Sequence, residues 1–227
     1  DPREGASLLR LPYTIPGEPT YNHLRAIHWL GAGRLGFIGG MVANLADCPG
    51  CPAANIVSDR KIVTLNAAAG ATPAAVPGTD FASGLSLGAN EDEIYYTVGG
   101  DSRVFRRTLS TGDETVAFDF GGAGIARDVD VVGNRLAAIV GGRVVFGVNL
   151  VLGPTQRDSG GVVHVVNLTT GDDQALTADA LLFRHPVLSP DGASLVADGY
   201  PLLIFDNGTI ADTSVGTISD LYLFGAP

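Results

Sequence analysis

Four segments of this chain repeat one order of parts, and that repetition constrains the fold more than any other feature. Each reads as strand, tight turn, strand, glycine, loop, strand. The first runs from Leu24 in LRAIHWLGAGRLGFIGG to KIVTLNAAAGATPAAV. The second is SGLSLGANEDEIYYTVGG followed by DSRVFRRTLSTGDETVAF, and the third is RDVDVVGNRLAAIVGG followed by GVVHVVNLTTGDDQALT. The fourth is RHPVLSPDGASLVADG followed by DLYLFGAP. The first three continue through another turn into a fourth strand. Equivalent second-strand residues are Leu35, Ile94, Leu136 and Leu195, separated by 59, 42 and 59 residues. A period near 40 residues, stretched by insertions, is the pattern of blades that bury their faces by stacking radially on one another.

The turns have a physical basis. Asp191-Gly192 and Gly133-Asn134 supply residues that tolerate positive φ, as tight hairpins require. Thr111-Gly112-Asp113 and Thr170-Gly171-Asp172 play the same part between third and fourth strands. The strands are rich in Val, Ile, Leu, Tyr and Phe and show little helical periodicity. Hydrophobic residues make up 45% of the 227 and charged residues 17%, enough apolar material for a large core and too much for disorder. The 31 glycines and 13 prolines follow no collagen-like period and punctuate many short strands.

The pattern resembles the WD40-like, TolB-type propeller repeats of bacterial envelope proteins. Leu188-Ser189-Pro190-Asp191-Gly192 and the closing Ser219-Asp220-Leu221-Tyr222-Leu223-Phe224 carry the resemblance, which spans about residues 22 to 227. Only the fourth segment keeps a clean S-P-D-G turn. The expectation is an all-β chain, a single β-propeller domain over 1–227 with four visible four-stranded blades at roughly 22–78, 79–121, 122–180 and 181–227. Residues 6–13, ASLLRLPY, read as a strand of a preceding or closing blade. A partial propeller, the C-terminal part of a larger one, is favoured over a ring in which this strand completes the last blade. The chain starts at Asp1-Pro2, so a processed or trimmed N-terminus is expected, with room upstream for a signal or lipid anchor.

The second blade joins its second and third strands by a short turn around Gly99-Gly100-Asp101. The other three carry insertions there, at about 41–59, 143–160 and 200–219. Loops longer than roughly 12–15 residues are usually functional or disordered, and these are apolar rather than disordered in composition. Met41, Val42, Leu45, Val145, Phe146, Leu150, Leu202, Ile204 and Phe205 are the candidate partner-binding residues, on an apolar platform for a protein partner. The alternative is that the insertions lengthen their own blades as hairpins and bury these residues locally.

Aligning the repeats matches Arg25, Ser83, Arg127 and Arg184, all just before the first strand of a blade. Arg25, Arg127 and Arg184 are the candidate anion-binding set, since guanidinium forks pair with carboxylate or phosphate. The competing reading pairs each with an acidic residue such as Asp80, Asp128 or Asp198. The histidines, His23, His28, His164 and His185, occupy different registers and form no ring. Asp128, Asp130, Asp119 and Asp172-Asp173 are the densest acidic positions, but no D-x-D-x-D-G calcium loop occurs. No G-x-S-x-G elbow or Ser-His-Asp set is legible.

Cys48-Pro49-Gly50-Cys51 is the only cysteine pair. A redox role needs a βαβ context, and zinc needs two further ligands. A small Cys48–Cys51 disulfide pinning the first insertion is expected, in an oxidising compartment. The net charge of −10 excludes non-specific nucleic-acid binding through clustered Lys and Arg. No stretch approaches the roughly 20 apolar residues of a spanning helix. These readings give the expectation of a periplasmic or extracellular scaffold without enzymatic activity, cofactor or metal, of the kind that serves as an accessory subunit of an envelope complex. A small-anion or carbohydrate-binding propeller and a lactonase-like, metal-dependent hydrolase are the alternatives.

Overall fold

The structure is a computed structural model. It describes residues 15, 23–31, 33–44, 55–141, 146–149, 153–156, 161–176, 181–201, 203–204, 210–211 and 220–225. Four antiparallel sheets follow one another along the chain as the blades of a β-propeller. Blade 1 comprises β1 (His23–Trp29), β2 (Arg34–Asn44), β3 (Asn55–Asn66) and β4 (Ala74–Ala75), in that spatial order. Blade 2 comprises β5 (Ala82–Leu87), β6 (Glu93–Val98), β7 (Arg103–Thr108) and β8 (Glu114–Asp119), again in order. A short 3-10 turn over Gly121–Ala123 leads to blade 3.

Blade 3 begins with β9 (Ala126–Val132) and β10 (Arg135–Val140). A two-stranded excursion follows, β11 (Phe146–Asn149) and β12 (Gly153–Gln156). The blade then resumes with β13 (Val162–Asn167) and β14 (Asp173–Leu176). Blade 4 has β15 (Leu181–Leu188) and β16 (Ser194–Pro201), then the small hairpin β17 (Leu203–Ile204) and β18 (Ile210–Ala211). Its third strand is β19 (Asp220–Gly225), the outermost of this blade among the described residues.

The two T-G-D turns are copies of each other. In the first, the Thr108 N–H donates to the Asp113 carbonyl at 2.9 Å and the Gly112 N–H to the Thr108 carbonyl at 2.8 Å. In the second, Asn167 and Asp172 repeat the first bond at 2.9 Å, and Gly171 and Asn167 the second at 2.8 Å. In each the threonine hydroxyl donates to the aspartate two residues on, at 2.7 and 2.6 Å. Gly112 and Gly171 have φ of 77° and 78°, which is why glycine stands there.

Three apolar clusters fill the gaps between consecutive blades. Ile38 and Ile62 of blade 1 meet Leu85, Ile94 and Tyr96 of blade 2. Tyr95 and Val104 of blade 2 meet Val129, Val131 and Leu136 of blade 3. Ala137, Ile139, Val163 and Val165 of blade 3 meet Phe183, Leu188 and Leu195 of blade 4. Strand side chains alternate between faces, so each central strand serves two interfaces at once. Leu136 faces backward and Ala137 and Ile139 forward. Each fully buried Val, Leu or Ile contributes roughly 1.5–3 kcal/mol of transfer free energy.

One glycine expectation needs correction. Gly40, Gly100 and Gly142 are the glycines expected from the sequence to end the second strands of blades 1, 2 and 3. Gly100 fits, in the turn after β6 at φ 88°, and Gly142 lies outside the described residues. Gly40 does not fit. It sits inside β2 at a register shift between Gly39 and Met41, after which the ladder resumes from Met41↔Ser58 to Asn44↔Asn55. The glycine absorbs a bulge rather than ending the strand, and the first insertion begins as a continuation of the blade's own hairpin.

Candidate functional site

The first strands are the inner ones: β9 packs against β5 on one side and β15 on the other, and β1 against β5. They share a kink at one level. Ala26 and His185, equivalent in the repeat, both have φ of 49°, in the left-handed region that non-glycine residues rarely adopt. The ladders of blades 1 and 4 shift register there, between Arg25 and His28 and between Arg184 and Val187. Blades 2 and 3 shift at the corresponding place, between Ala82 and Gly84 and between Ala138 and Val140. Gly84, the counterpart of Ala26, lets blade 3 approach closely: a Cβ there would lie 2.3 Å from the Arg127 carbonyl oxygen. Thr97 donates its hydroxyl to that same carbonyl and bonds Ser83 Oγ at 2.9 Å.

Just beyond the kink, two aspartates of β9 join all four blades. Asp130 accepts the Ser86 hydroxyl of blade 2 at 3.0 Å on Oδ1 and the Leu188 N–H of blade 4 at 2.7 Å on Oδ2. Ser86 Oγ in turn accepts the Val131 N–H at 2.9 Å. Asp128 takes Arg25 of blade 1 at 3.0 Å on Oδ1 and the His185 N–H of blade 4 at 3.4 Å on Oδ2. Both carboxylates therefore use both oxygens for bracing. Ser86 is buried and both donates and accepts, so its hydroxyl serves the same brace.

The three candidate anion-binding arginines lie at this level. Arg25 is paired with Asp128, and Arg184 Nε lies 3.5 Å from Asp198 Oδ2. Arg127 is half-buried beside Gly84 with its carbonyl held by Thr97. Arg25 and Arg184 thus face carboxylates of the chain itself, and His185 shares Asp198 with Arg184 through an Nδ1–Oδ1 contact of 2.8 Å.

The other histidines separate. His164 is buried, bonded to Asp173 at 2.9 Å, with the Phe120 ring edge-on to it. His28 borders the Asp130 brace. Burial lowers its pKa below the ordinary 6.5, against the opposing pull of Asp130 and of a hydrogen bond to the Leu85 backbone. Asp119 accepts the Ser102 hydroxyl at 2.6 Å and the Gly121 N–H at 2.9 Å, and both bonds hold its carboxyl below the usual carboxylate range. Among the described residues no group of three His, Cys, Asp or Glu is placed to hold a metal ion.

The candidate partner-binding residues fall on the insertions. Met41 and Val42 lie on the extended part of β2, Phe146 on β11 and Ile204 on β17. Leu45, Val145, Leu150, Leu202 and Phe205 lie outside the described residues, as do Cys48, Cys51 and residues 6–13. Sequence reasoning missed the brace. It read Asp128 and Asp130 as acidic density; their i, i+2 spacing on one strand face was the available signal.

No protein-family model and no curated protein sequence matches the chain. Solved structures do match in fold. TolB from Acinetobacter baumannii superposes with a TM-score of 0.56 at 12% identity, covering 90% of this chain and 41% of its own. A gluconolactonase from Xanthomonas campestris gives 0.56 at 14% identity, covering 86% of this chain and 59% of its own. A putative TolB from Agrobacterium tumefaciens gives 0.52 at 14% identity, with 89% and 77% coverage. The chain thus has the TolB-type propeller fold and spans about two fifths of the length of the Acinetobacter TolB it matches. No helix among the described residues is long and apolar enough to cross a membrane.

Proposed function

We propose that this chain is a non-enzymatic interaction scaffold of the bacterial envelope, in the periplasm or outside the cell, that presents its b–c insertions to a protein partner. The observation that carries the reading is the form of these insertions. The β2–β3 hairpin runs on to Asn44↔Asn55, and β11–β12 and β17–β18 are hairpins in their own right. Blade 2 makes the same connection with a turn alone. Hairpins are more rigid than long irregular loops, and in a meandering blade these connections leave from the end opposite the a–b turns. Their apolar residues, Met41, Val42, Phe146 and Ile204 among them, would supply the buried centre of an interface, where charge is disfavoured. The side-chain chemistry at the inner strands supports the same reading, because Asp128, Asp130 and Ser86 are committed to holding blades together.

The test replaces residues 143–160 by a turn like Gly99-Gly100-Asp101 and places a photo-crosslinker at Met41, on the first insertion, in both the intact and the shortened chain. One discrete cross-linked partner from a periplasmic extract, lost in the shortened variant while its circular dichroism and Tm are kept, is the expected result. Equal capture by both forms would overturn the reading.

A further inference from the structure

We propose that a cleft on blade 3 binds a small zwitterion of the amino-acid class. Blade 3 is an inner blade, with blades 2 and 4 on either side of it. The cleft lies at the end of the blade where the a–b and c–d turns are, opposite the insertions, so it is a surface separate from theirs. Its volume is about 320 Å³, at the lower end of the range of small-molecule sites. Among the described residues it is lined by Arg135, Val165, Asn167, Asp172, Asp173 and Gln174.

The repeat shows what is unusual about Arg135. Arg34, Glu93, Arg135 and Ser194 each open the second strand of their blade. Arg34 donates to the Glu91 carbonyl, in the a–b turn of blade 2, at 2.8 Å. Glu93 is paired with Arg106, and Ser194 carries no charge. Arg135 has neither a hydrogen-bond nor an ion-pair partner among the described residues. Arg106 stands opposite Tyr95, and the same place in blade 3, opposite Ala137, holds Val165. The third strand therefore offers Arg135 no countercharge. Its stem is nonetheless held: a Cβ on Gly192, in the a–b turn of blade 4, would lie 3.3 Å from Arg135 Cγ. A half-buried guanidinium with a fixed stem and open donors suits a carboxylate.

The polar groups are sorted along one row. Arg135 stands opposite Asn167, and the Asn167 N–H donates to the Asp172 carbonyl at 2.9 Å. Asn167 Oδ1 accepts the Thr169 and Thr170 N–H groups at 2.9 and 3.3 Å, which leaves its amide NH2 to donate. Arg135 and Asn167 thus form a donor end for a carboxylate. Asp172 lies two strand spacings from Arg135, about 10 Å along the row, so a strand separates the two charges. Its Oδ2 accepts the Thr170 hydroxyl at 2.6 Å, leaving Oδ1 for an ammonium group. Asp173 is engaged by His164, at 2.9 Å from each oxygen. A simple anion in this cleft would meet the two aspartates, and a simple cation would meet Arg135. A molecule that carries both charges meets neither repulsion, and the Val165 side chain between the two ends is apolar.

Amide chemical-shift titration of the full, nitrogen-15-labelled chain tests this with three matched probes. L-leucine carries both charges, isocaproate lacks the amine and isoamylamine lacks the carboxylate. Leucine should give saturable shifts at Val165, Asn167 and Gln174, and each analogue should bind about tenfold more weakly or worse, as loss of one charge-assisted contact implies. Arg135→Met keeps the stem against Gly192 and should weaken leucine by a similar factor. Asp172→Asn keeps an acceptor for Thr170 and should bring leucine down to the level of isocaproate. Absence of saturable shifts up to the solubility of leucine would overturn the proposal, and so would shifts confined to other residues. Isocaproate binding as well as leucine would mark a plain anion site and overturn it too. Should either variant lose its Tm, the three probes on the wild type still decide. None of these outcomes bears on the insertions, so the scaffold reading stands or falls separately.

Discussion

Asp130→Ala should loosen the centre of the molecule more than its half-buried position suggests. The substitution removes two acceptors at once. The Leu188 N–H, 2.7 Å from Oδ2, is left without its acceptor at a residue 5% exposed. The Ser86 hydroxyl, 3.0 Å from Oδ1, keeps the Val131 N–H but loses its own acceptor. A hydrogen bond to a charged group contributes about 1.5–3 kcal/mol, and an orphaned buried donor costs about 1–3 kcal/mol. Partial solvent access at Asp130 places the total near the lower end, at about 3–4 kcal/mol. Asp130→Asn retains one oxygen acceptor and can serve only one of the two donors, so it should cost about half as much. Asp191→Ala, at an exposed turn, should cost much less than either. Urea unfolding followed by circular dichroism reads these differences, provided the slope with denaturant stays constant. An Asp130→Ala variant within about 1 kcal/mol of wild type, or an asparagine variant as damaged as the alanine one, would refute the brace.

Gly84→Ala forces a methyl against the Arg127 carbonyl and Thr97, at 2.3 and 2.8 Å, and overpacking of this kind costs about 1–3 kcal/mol or more; an unchanged Tm would contradict the close approach. Leu85→Ala, at a residue 2% exposed between blades 1 and 2, should cost about 2–5 kcal/mol. Val116→Ala, on the outer strand of blade 2 and 48% exposed, should cost about 1 kcal/mol or less, and equal losses would break the blade register. His28 gives a pH dependence of definite sign. Its folded pKa lies below the ordinary 6.5 because it is buried, so the unfolded chain takes up the proton first as pH falls. Its contribution is present above 6.5 and lost as pH drops through the folded value. His28→Gln should flatten that part of the stability profile, and a profile unchanged by the substitution would argue against it.

The parts that were legible from the residues are those in which a side chain itself sets the local geometry. The T-G-D turns were readable because a threonine, a positive-φ glycine and an aspartate specify one turn wherever they stand together, and the two copies are alike bond for bond. The apolar alternation of the first strands was readable for the same reason, and Leu85, Val129 and Leu188 are buried as that alternation requires. Gly39-Gly40 misled because a glycine pair can end a strand or absorb a bulge, and the choice depends on whether the partner strand continues. The shared kink left almost no mark: Ala26 is not a residue that favours positive φ, and a single histidine at 185, a type only enriched there, does not single out the position. Asp128 and Asp130 stood out as acidic, but what they bind was hidden. Two of their four partners are backbone N–H groups, which every residue carries, and Arg25 lies 103 residues away along the chain.

Methyl-to-methyl nuclear Overhauser contacts in a deuterated, Ile/Leu/Val-labelled sample test the blade order most directly. The arrangement predicts cross-blade networks that link Leu85 to the Ile38 and Ile62 cluster, Val129 to that of Val104, and Leu188 to that of Ile139 and Val163. Absence of these networks, or contacts placing Leu85, Val129 and Leu188 in one shared cluster, would contradict it.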